Sequence, residues 1–221
     1  MLVRTFNFFS TILYDALAPA QCASCQVLLP ERDIFCVSCA QRIQLVGSVD
    51  LMITATKRVP IYAVGVYADP LKKLINAKSF SQRATSAQLG ELVARHALIL
   101  QKPIDVLVPI PLHWTRYAWR GYNQSEEIAR VVAKARGVPV CHELSRLRKT
   151  EYQAECSRAE RTLNVLGAFA LSDAGKKMLA GKHVALVDDV FTTGATMEAA
   201  ARAIYAAKPA SVCALVVART I

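Results

Sequence analysis

The stretch that most constrains the fold runs from Val184 to Thr196, V-A-L-V-D-D-V-F-T-T-G-A-T, and continues into the helix-forming run M-E-A-A-A-R-A-I-Y-A-A. Val184 to Val187 read as a buried strand, Asp188 and Asp189 stand at its carboxyl end, and a turn of small and hydroxylated residues opens the helix. The order strand, turn, helix belongs to an α/β domain. The first amides of a helix lack intrahelical partners and carry partial positive charge. With the hydroxyls of Thr192, Thr193 and Thr196 they can cradle a phosphate monoester. Asp188 and Asp189 would repel that phosphate and suit hydroxyls instead, so a ribose diol beside a 5′-phosphate fits both halves of the segment. A plain strand, capped turn and helix with solvated acids fits the same letters. No G-K-[ST] follows, which excludes a P-loop.

With 221 residues and 53% hydrophobic content, the chain can bury a full core, and its length suits one main domain plus an appendage. No apolar run reaches the ~20 residues that span a bilayer. A net charge of +10 calls for an anionic partner, either phosphorylated small molecules or nucleic acid. Near the amino terminus, Arg4, the apolar stretch Phe6 to Leu17 and A-P-A before Cys22 imitate a secretory signal. Against that, Leu2, Phe6, Phe9, Leu13 and Leu17 recur at helical spacing and Asp15 interrupts the apolar region, which predicts an amphipathic helix packed on the body of the protein.

The next segment is Cys22-x2-Cys25-x10-Cys36-x2-Cys39. Two C-x-x-C knuckles can wrap one Zn²⁺ tetrahedrally through four thiolates, leaving no open position, so the expected site is structural and folds a segment too small for its own core. Buried or redox-active cysteines are the alternative. Seven cysteines, an odd number with four in a metal pattern, point to a reducing cytoplasm over disulfides. Arg32 is the one basic residue between Cys22 and Cys39, thin support for nucleic-acid contact by the knuckle.

Further on, Ile61–Tyr67 reads as a strand and Leu71–Lys78 as helical. Leu89, Leu92, Val93, His96, Ala97 and Leu100 mark one face of a longer helix, with His96 packed or partly exposed and no ligand. Lys78 either reaches a phosphate or ends a helix in solvent. Asp105–Leu112 is the next strand, stopped by two prolines. The loop after it, H-W-T-R-Y-A-W-R-G-Y-N-Q, holds Arg116 and Arg120, whose forked donors suit phosphate oxygens at the carboxyl end of a parallel strand. Gly121 would let the backbone come close to such a ligand. A basic surface loop anchored by Trp114 and Trp119 is the other reading. A helix with the apolar face Ile128, Val131, Val132 and Ala135 comes next. Residues 144–169 are polar with four arginines, and end in a short strand at Ala168–Leu171. The last strand is S-V-C-A-L-V-V-A.

The segment ending D-D-V-F-T-T-G-A-T resembles the phosphoribosyl pyrophosphate (PRPP) motif of type I phosphoribosyltransferases. That resemblance implies Asp188 and Asp189 near the ribose hydroxyls, Thr192 to Thr196 around the 5′-phosphate, and Val190, Phe191, Thr193, Gly194 and Ala195 within the same PRPP site. Together with the knuckles, P-I-P-L-H-x-x-R-x-x-x-R-G-x-N-Q and R-K-T-x-x-Q…R-x-x-N-V-x-x-A-F make the whole chain similar to the ComF family of competence-associated and gluconate-associated phosphoribosyltransferase-like proteins. The resemblance implies an α/β, type I phosphoribosyltransferase-like fold. Its sheet is twisted, mainly parallel and flanked by helices, with a small amino-terminal four-cysteine zinc-binding module. We assign 1–50 to the amino-terminal helix and knuckle and 51–221 to the phosphoribosyltransferase-like domain.

By the same resemblance, His113, Arg116, Arg120, Gly121, Asn123 and Gln124 form the pyrophosphate-side loop. Thr150, Gln153, Arg161 and Asn164 belong to a mobile hood, where Glu151 and Tyr152 are less apolar than the family pattern leads one to expect. The expected catalytic set is Asp188, Asp189, Arg116 and Arg120, working on PRPP with Mg²⁺ and an unidentified nitrogen nucleophile. The sequence contains no recognisable base pocket and no glutaminase segment. The alternative is a PRPP sensor or single-stranded-DNA-binding protein of the DNA-uptake machinery, using Trp114, Tyr117, Trp119 and Tyr122 as a stacking platform or engaging a DNA-uptake protein.

Overall fold

A computed structural model describes residues 20–31, 33–77, 82–112, 121–147 and 167–221. Its strands are β1 (Val49–Met52), β2 (Arg58–Val66), β3 (Val106–Pro109), β4 (Leu144–Arg146), β5 (Phe169–Leu171), β6 (His183–Phe191) and β7 (Ser211–Arg219). Five of them form one sheet in the order β1-β2-β7-β6-β3, and β4 pairs antiparallel with β5. In the main sheet only β1 runs antiparallel; β2, β7, β6 and β3 are mutually parallel. Strands covered on both faces need apolar residues at successive positions, and Val184 to Val187 and Ala214 to Ala218 supply them, all buried. Asp188 lies opposite Val216 and Phe191 opposite Arg219, which puts the two carboxylates and the following turn at the carboxyl end of the central strands.

The helices are α1 (Val37–Ala40), α2 (Leu71–Asn76), α3 (Gln82–Arg95), α4 (Ala97–Leu100), α5 (Gln124–Arg136), α6 (Asp173–Leu179) and α7 (Ala195–Tyr205). Leu89 and Val93 of α3 and Ile128 and Val132 of α5 are buried in one apolar cluster with Leu107, Val187 and Leu215. Met197, Ala200 and Ile204 of α7 are buried in a second cluster with Leu186, Ala214 and Val216, which also takes in Leu144, Phe169 and Leu179. Close packing of α3 on α5 depends on Gly90, where a Cβ would lie 2.7 Å from Cβ of Val131.

Several local expectations shift. The long helix expected to run through Leu100 stops at Arg95, because His96 adopts extended backbone (φ −72°, ψ 123°) and α4 starts anew. Leu89 and Val93 are buried while Leu100 is 54% exposed, so the single apolar face does not continue through the break. On α5 the buried face comprises Ile128, Ala129, Val132 and Ala133, and Ala135 is exposed. The buried face is thus turned toward its small residues Ala129 and Ala133. β2 begins at Arg58, before the expected Ile61. Pro60 is tolerated there because its described sheet partner is Asp50 of β1, while the β7 pairing starts at Ile61. β1 spans residues 49–52. The amino-terminal helix over Leu2–Leu17, Arg32 and Lys78 lie outside the described residues. Among those described, no helix is long and apolar enough to cross a membrane.

Candidate functional site

β3 and β6 are held side by side, Pro109 opposite Val187, and each delivers its chain to the same end of the sheet. After β3, the Asn123 side chain donates from Nδ2 to the Ile110 carbonyl at 3.0 Å and accepts at Oδ1 from the Ser125 amide at 3.2 Å. Asn123 thus ties the end of β3 to the start of α5 as its N-cap. The same arrangement sets Ser125, which is buried, beside β6, where its hydroxyl donates to Asp188 Oδ1 at 2.8 Å. Asp188 Oδ1 also accepts the Asp189 amide at 2.9 Å, and Asp189 Oδ1 accepts the Val190 amide at 2.7 Å. Loss of solvent, and then the neighbouring Asp189 charge, raise the half-buried Asp188 carboxyl from 3.8 to about 7, against the downward pull of the Ser125 and Asp189 donors.

From β6 the chain turns through Thr192 and Thr193, both exposed, to the buried Gly194. Gly194 has φ +81°, and a Cβ there would lie 3.0 Å from Leu51 Cδ1 and 3.1 Å from the Phe191 ring. The turn therefore needs glycine on two counts. Gly194 is the N-cap of α7 and contributes no side-chain cap. The hollow above this helix start is lined by Asp188 and by Val190 to Met197. First-turn amides, the hydroxyls of Thr192, Thr193 and Thr196 and one carboxylate face a common space, which suits a phosphate beside hydroxyl groups.

Of the expected site residues, Asp188, Asp189 and the run to Thr196 are thus gathered at one end of the sheet. Asn123 and Gln124 stand at the start of α5, joined to Asp188 through Ser125. Gly121 precedes them, exposed, at φ +72°. Tyr122, expected as a stacking aromatic, is buried to 7% exposure and offers no ring face to a base. His113, Trp114, Arg116, Tyr117, Trp119, Arg120, Thr150, Glu151, Tyr152, Gln153, Arg161 and Asn164 lie outside the described residues. Two contributors went unread in the sequence. Ser125 is one small residue in a polar first turn, with no local mark of its partner on β6. Leu51 sits in a four-residue strand, and nothing near it in sequence points to Gly194.

The four cysteines converge at the other described feature. The Sγ atoms of Cys22, Cys25, Cys36 and Cys39 all lie within 4.8 Å of one another, with Cys25 and Cys36 at 3.7 Å. A tetrahedral Zn²⁺ with Zn–S bonds of about 2.3 Å sets its sulfurs about 3.8 Å apart, so the thiol set fits that ion. Burial pushes the Cys22 thiol up, but the amides of Cys25, Cys36 and Ser24 together outweigh it and hold the thiol at about 6. Burial pushes Cys39 up to about 11. Donors aimed at a sulfur stabilise the thiolate, the form that ligates metal. The knuckle does not stand apart: Cys22, Ile34, Phe35 and Cys39 are buried in the cluster that holds Val64, Leu71 and Leu89.

The profile of the phosphoribosyl transferase domain matches residues 93–220, more than half of the chain, from the end of α3 through β7. The chain belongs to the phosphoribosyl transferase domain family. Within this family it is similar to Competence protein F of Haemophilus influenzae, at 32% identity over 61% of this chain and 61% of that protein. It is 35% identical to the DNA utilization protein YhgH of Escherichia coli K12, over 62% of each chain. To Competence protein ComFC of Bacillus subtilis it is 36% identical, over 63% of this chain and 55% of that one. The match thus spans less than two thirds of the length of each of these relatives. Those names agree with the ComF resemblance. Among solved structures, a glutamine PRPP amidotransferase from B. subtilis complexed with ADP and GMP aligns with 72% of this chain and 32% of that one, at 17% identity and a TM-score of 0.45.

Proposed function

We propose that the phosphoribosyl transferase domain binds PRPP with Mg²⁺ at the carboxyl end of β6 and transfers its phosphoribosyl group to a nitrogen nucleophile. The observation that carries this reading is the paired carboxylates of Asp188 and Asp189 leading directly into the Gly194 turn and the uncapped start of α7. Asp188 and Asp189 accept from the ribose hydroxyls, while the first amides of α7 and the hydroxyls of Thr192, Thr193 and Thr196 hold the 5′-phosphate. Asn123 and Gln124, with Gly121, line the approach from β3, and Arg116 and Arg120 offset charge building on the leaving pyrophosphate. Mg²⁺, when bound, would supply positive charge that offsets the substrate's phosphate oxygens, with Asp188 and Asp189 the acids near enough to help hold it. Its charge suits a place beside two acids that repel one another. Thr150, Gln153, Arg161 and Asn164 are assigned the role of keeping water, the competing nucleophile, from the substrate.

The two-part organisation is included in the proposal: 1–50 carries a structural zinc, and 51–221 carries the PRPP site. A four-thiolate metal site belongs in a reducing compartment, hence the cytoplasm. Calorimetric titration of PRPP and Mg²⁺ into the zinc-replete protein tests the reading. Saturable binding that disappears in Asp188→Asn/Asp189→Asn is expected; equal affinity of both proteins would remove the acids from the site.

A second reading is favoured by the names of the relatives, which refer to competence and DNA utilization, together with the charge of +10. In it the chain is a PRPP sensor or single-stranded-DNA-binding component of DNA uptake. That reading expects oligonucleotide affinity to fall steeply with salt and to weaken in Arg116→Ala and Arg120→Ala.

A further inference from the structure

At the end of the sheet opposite to the carboxylates, the amino ends of β2 and β7 and the carboxyl end of α7 surround a cavity of about 360 Å³. Nine residues of β7 at about 3.3 Å each put it about 25 Å or more from the Gly194 turn, so the two sites do not overlap. The volume lies within the range of small-molecule sites, roughly 300 to 1,000 Å³. Its wall carries Lys57, Arg58 and Lys102 but no carboxylate. Arg58 pairs with Asp50 at 3.2 Å in an exposed contact that contributes little. Neither Lys57 nor Lys102 forms an ion pair among the described residues. Each ammonium instead sits over a tyrosine ring of the same wall, Lys57 at 4.7 Å from the centre of Tyr205 and Lys102 at 5.2 Å from that of Tyr62. Tyr205 is fixed by donating its hydroxyl to the Arg58 carbonyl at 3.1 Å. Behind it, the Ser211 hydroxyl meets His183 Nδ1 at 2.8 Å. Cys213, also in the wall, is held up at about 12 by burial, while the charges of Arg136 and Lys102 oppose that shift.

Two lysines without an ion pair among the described residues and an arginine held only by an exposed pair, set among aromatic and proline surfaces in a space of this size, ask for a ligand with a phosphate at one end and a planar apolar body at the other. We propose that this cavity is a second ligand site, taking a free mononucleotide-class molecule whose phosphate meets Lys57, Arg58 and Lys102 and whose base packs against Tyr62, Tyr205 and the prolines beside them. Tyr62 is 9% exposed, so Tyr205 and the prolines supply most of that surface. The site is independent of the PRPP reading.

AMP is the probe, titrated by calorimetry into the full zinc-replete chain; any AMP held at the Gly194 turn does not depend on Lys57 or Lys102, so the lysine variants tell the two sites apart. The expected result is one lysine-dependent AMP site per chain, bound more tightly than inorganic phosphate. Lys57→Gln/Lys102→Gln should lower its affinity at least about tenfold, since hydrogen bonds between ionised partners are the stronger class. Lys57→Arg/Lys102→Arg, which keeps both charges, should retain binding and shows that the glutamine variant fails for want of charge and not of fold. The proposal is overturned by absent AMP binding, by AMP affinity that ignores the lysines, by inorganic phosphate binding as tightly as AMP, or by a lysine-dependent response to a single-stranded oligonucleotide alone. PRPP titration of the glutamine variant on the wild-type background separates the two sites, and unchanged PRPP affinity is expected.

Discussion

In the proposed role Asp188 accepts from hydroxyls best as an ionised acid, yet loss of solvent and the neighbouring Asp189 favour the proton. Its carboxyl is raised from 3.8 to about 7, so across that interval the folded chain holds a proton that the unfolded chain releases. A group of that kind stabilises the fold at low pH and loses its contribution as pH rises toward 7. We therefore expect urea midpoints of the wild type to decline between about pH 4 and about pH 7, and the decline to flatten in Asp188→Asn. Parallel slopes for the two proteins would mean that Asp188 titrates as an ordinary acid. Ser125 acts in the opposite sense, because its hydroxyl donates to the ionised form at 2.8 Å. Ser125→Ala should move the Asp188 carboxyl resonance in a ¹³C titration to still higher pH, and a shift the other way would remove Ser125 from the site. The sequence marked Asp188 and Asp189 through their position after four apolar residues. It carried no mark for Ser125, because a hydrogen bond between α5 and β6 is made by sheet pairing and not by local spacing.

Two elements far apart in the chain hold the Gly194 turn. Leu51 of β1 lies over it, and Arg202 of α7 donates to the Ile53 carbonyl at 2.6 Å while its guanidinium also pairs with Glu198 at 2.8 Å. The β1–β2 hairpin and α7 are thereby clamped around the proposed phosphate cradle. Gly194→Ala should cost about 1–3 kcal/mol in urea unfolding, from its left-handed backbone and from the approach of Leu51 and Phe191. Replacing Leu51 with alanine as well should recover part of that loss by opening the space. Equal stability of the single and double variants would show that backbone strain alone sets the cost. Elements built by local rules read well from sequence: the apolar run of β6 and the helix after the glycine. β1 and α6 did not, since β1 has four residues that alternate weakly in burial and α6 has seven with two buried. The break at His96 was hidden for a different reason, because apolar spacing continued through it while the backbone did not.

At the scale of the whole molecule, strand order was beyond the reach of local patterns, because β7, last in sequence, lies between β2 and β6. The convergence of the four cysteines, in contrast, was readable from spacing alone, but their place in the molecule was not. Ile34 and Phe35, between the knuckles, are buried with Val64 of β2, Leu71 of α2 and Leu89 of α3 in one cluster. Metal held by the thiols would therefore support part of the main core as well as the knuckle, since the short α1 and its neighbouring turns have little else to fix them. We expect elemental analysis to find one zinc per chain in freshly reduced protein. Chelation should lower the melting temperature of the whole chain, with hydrogen exchange rising in α2 and α3 as well as in residues 20–40. Cys25→Ser removes an exposed ligand without opening a cavity, and should mimic chelation. Faster exchange confined to the knuckle, with an unchanged melting temperature, would instead mean that the sheet domain stands without it and that the cluster through Ile34 and Phe35 adds little.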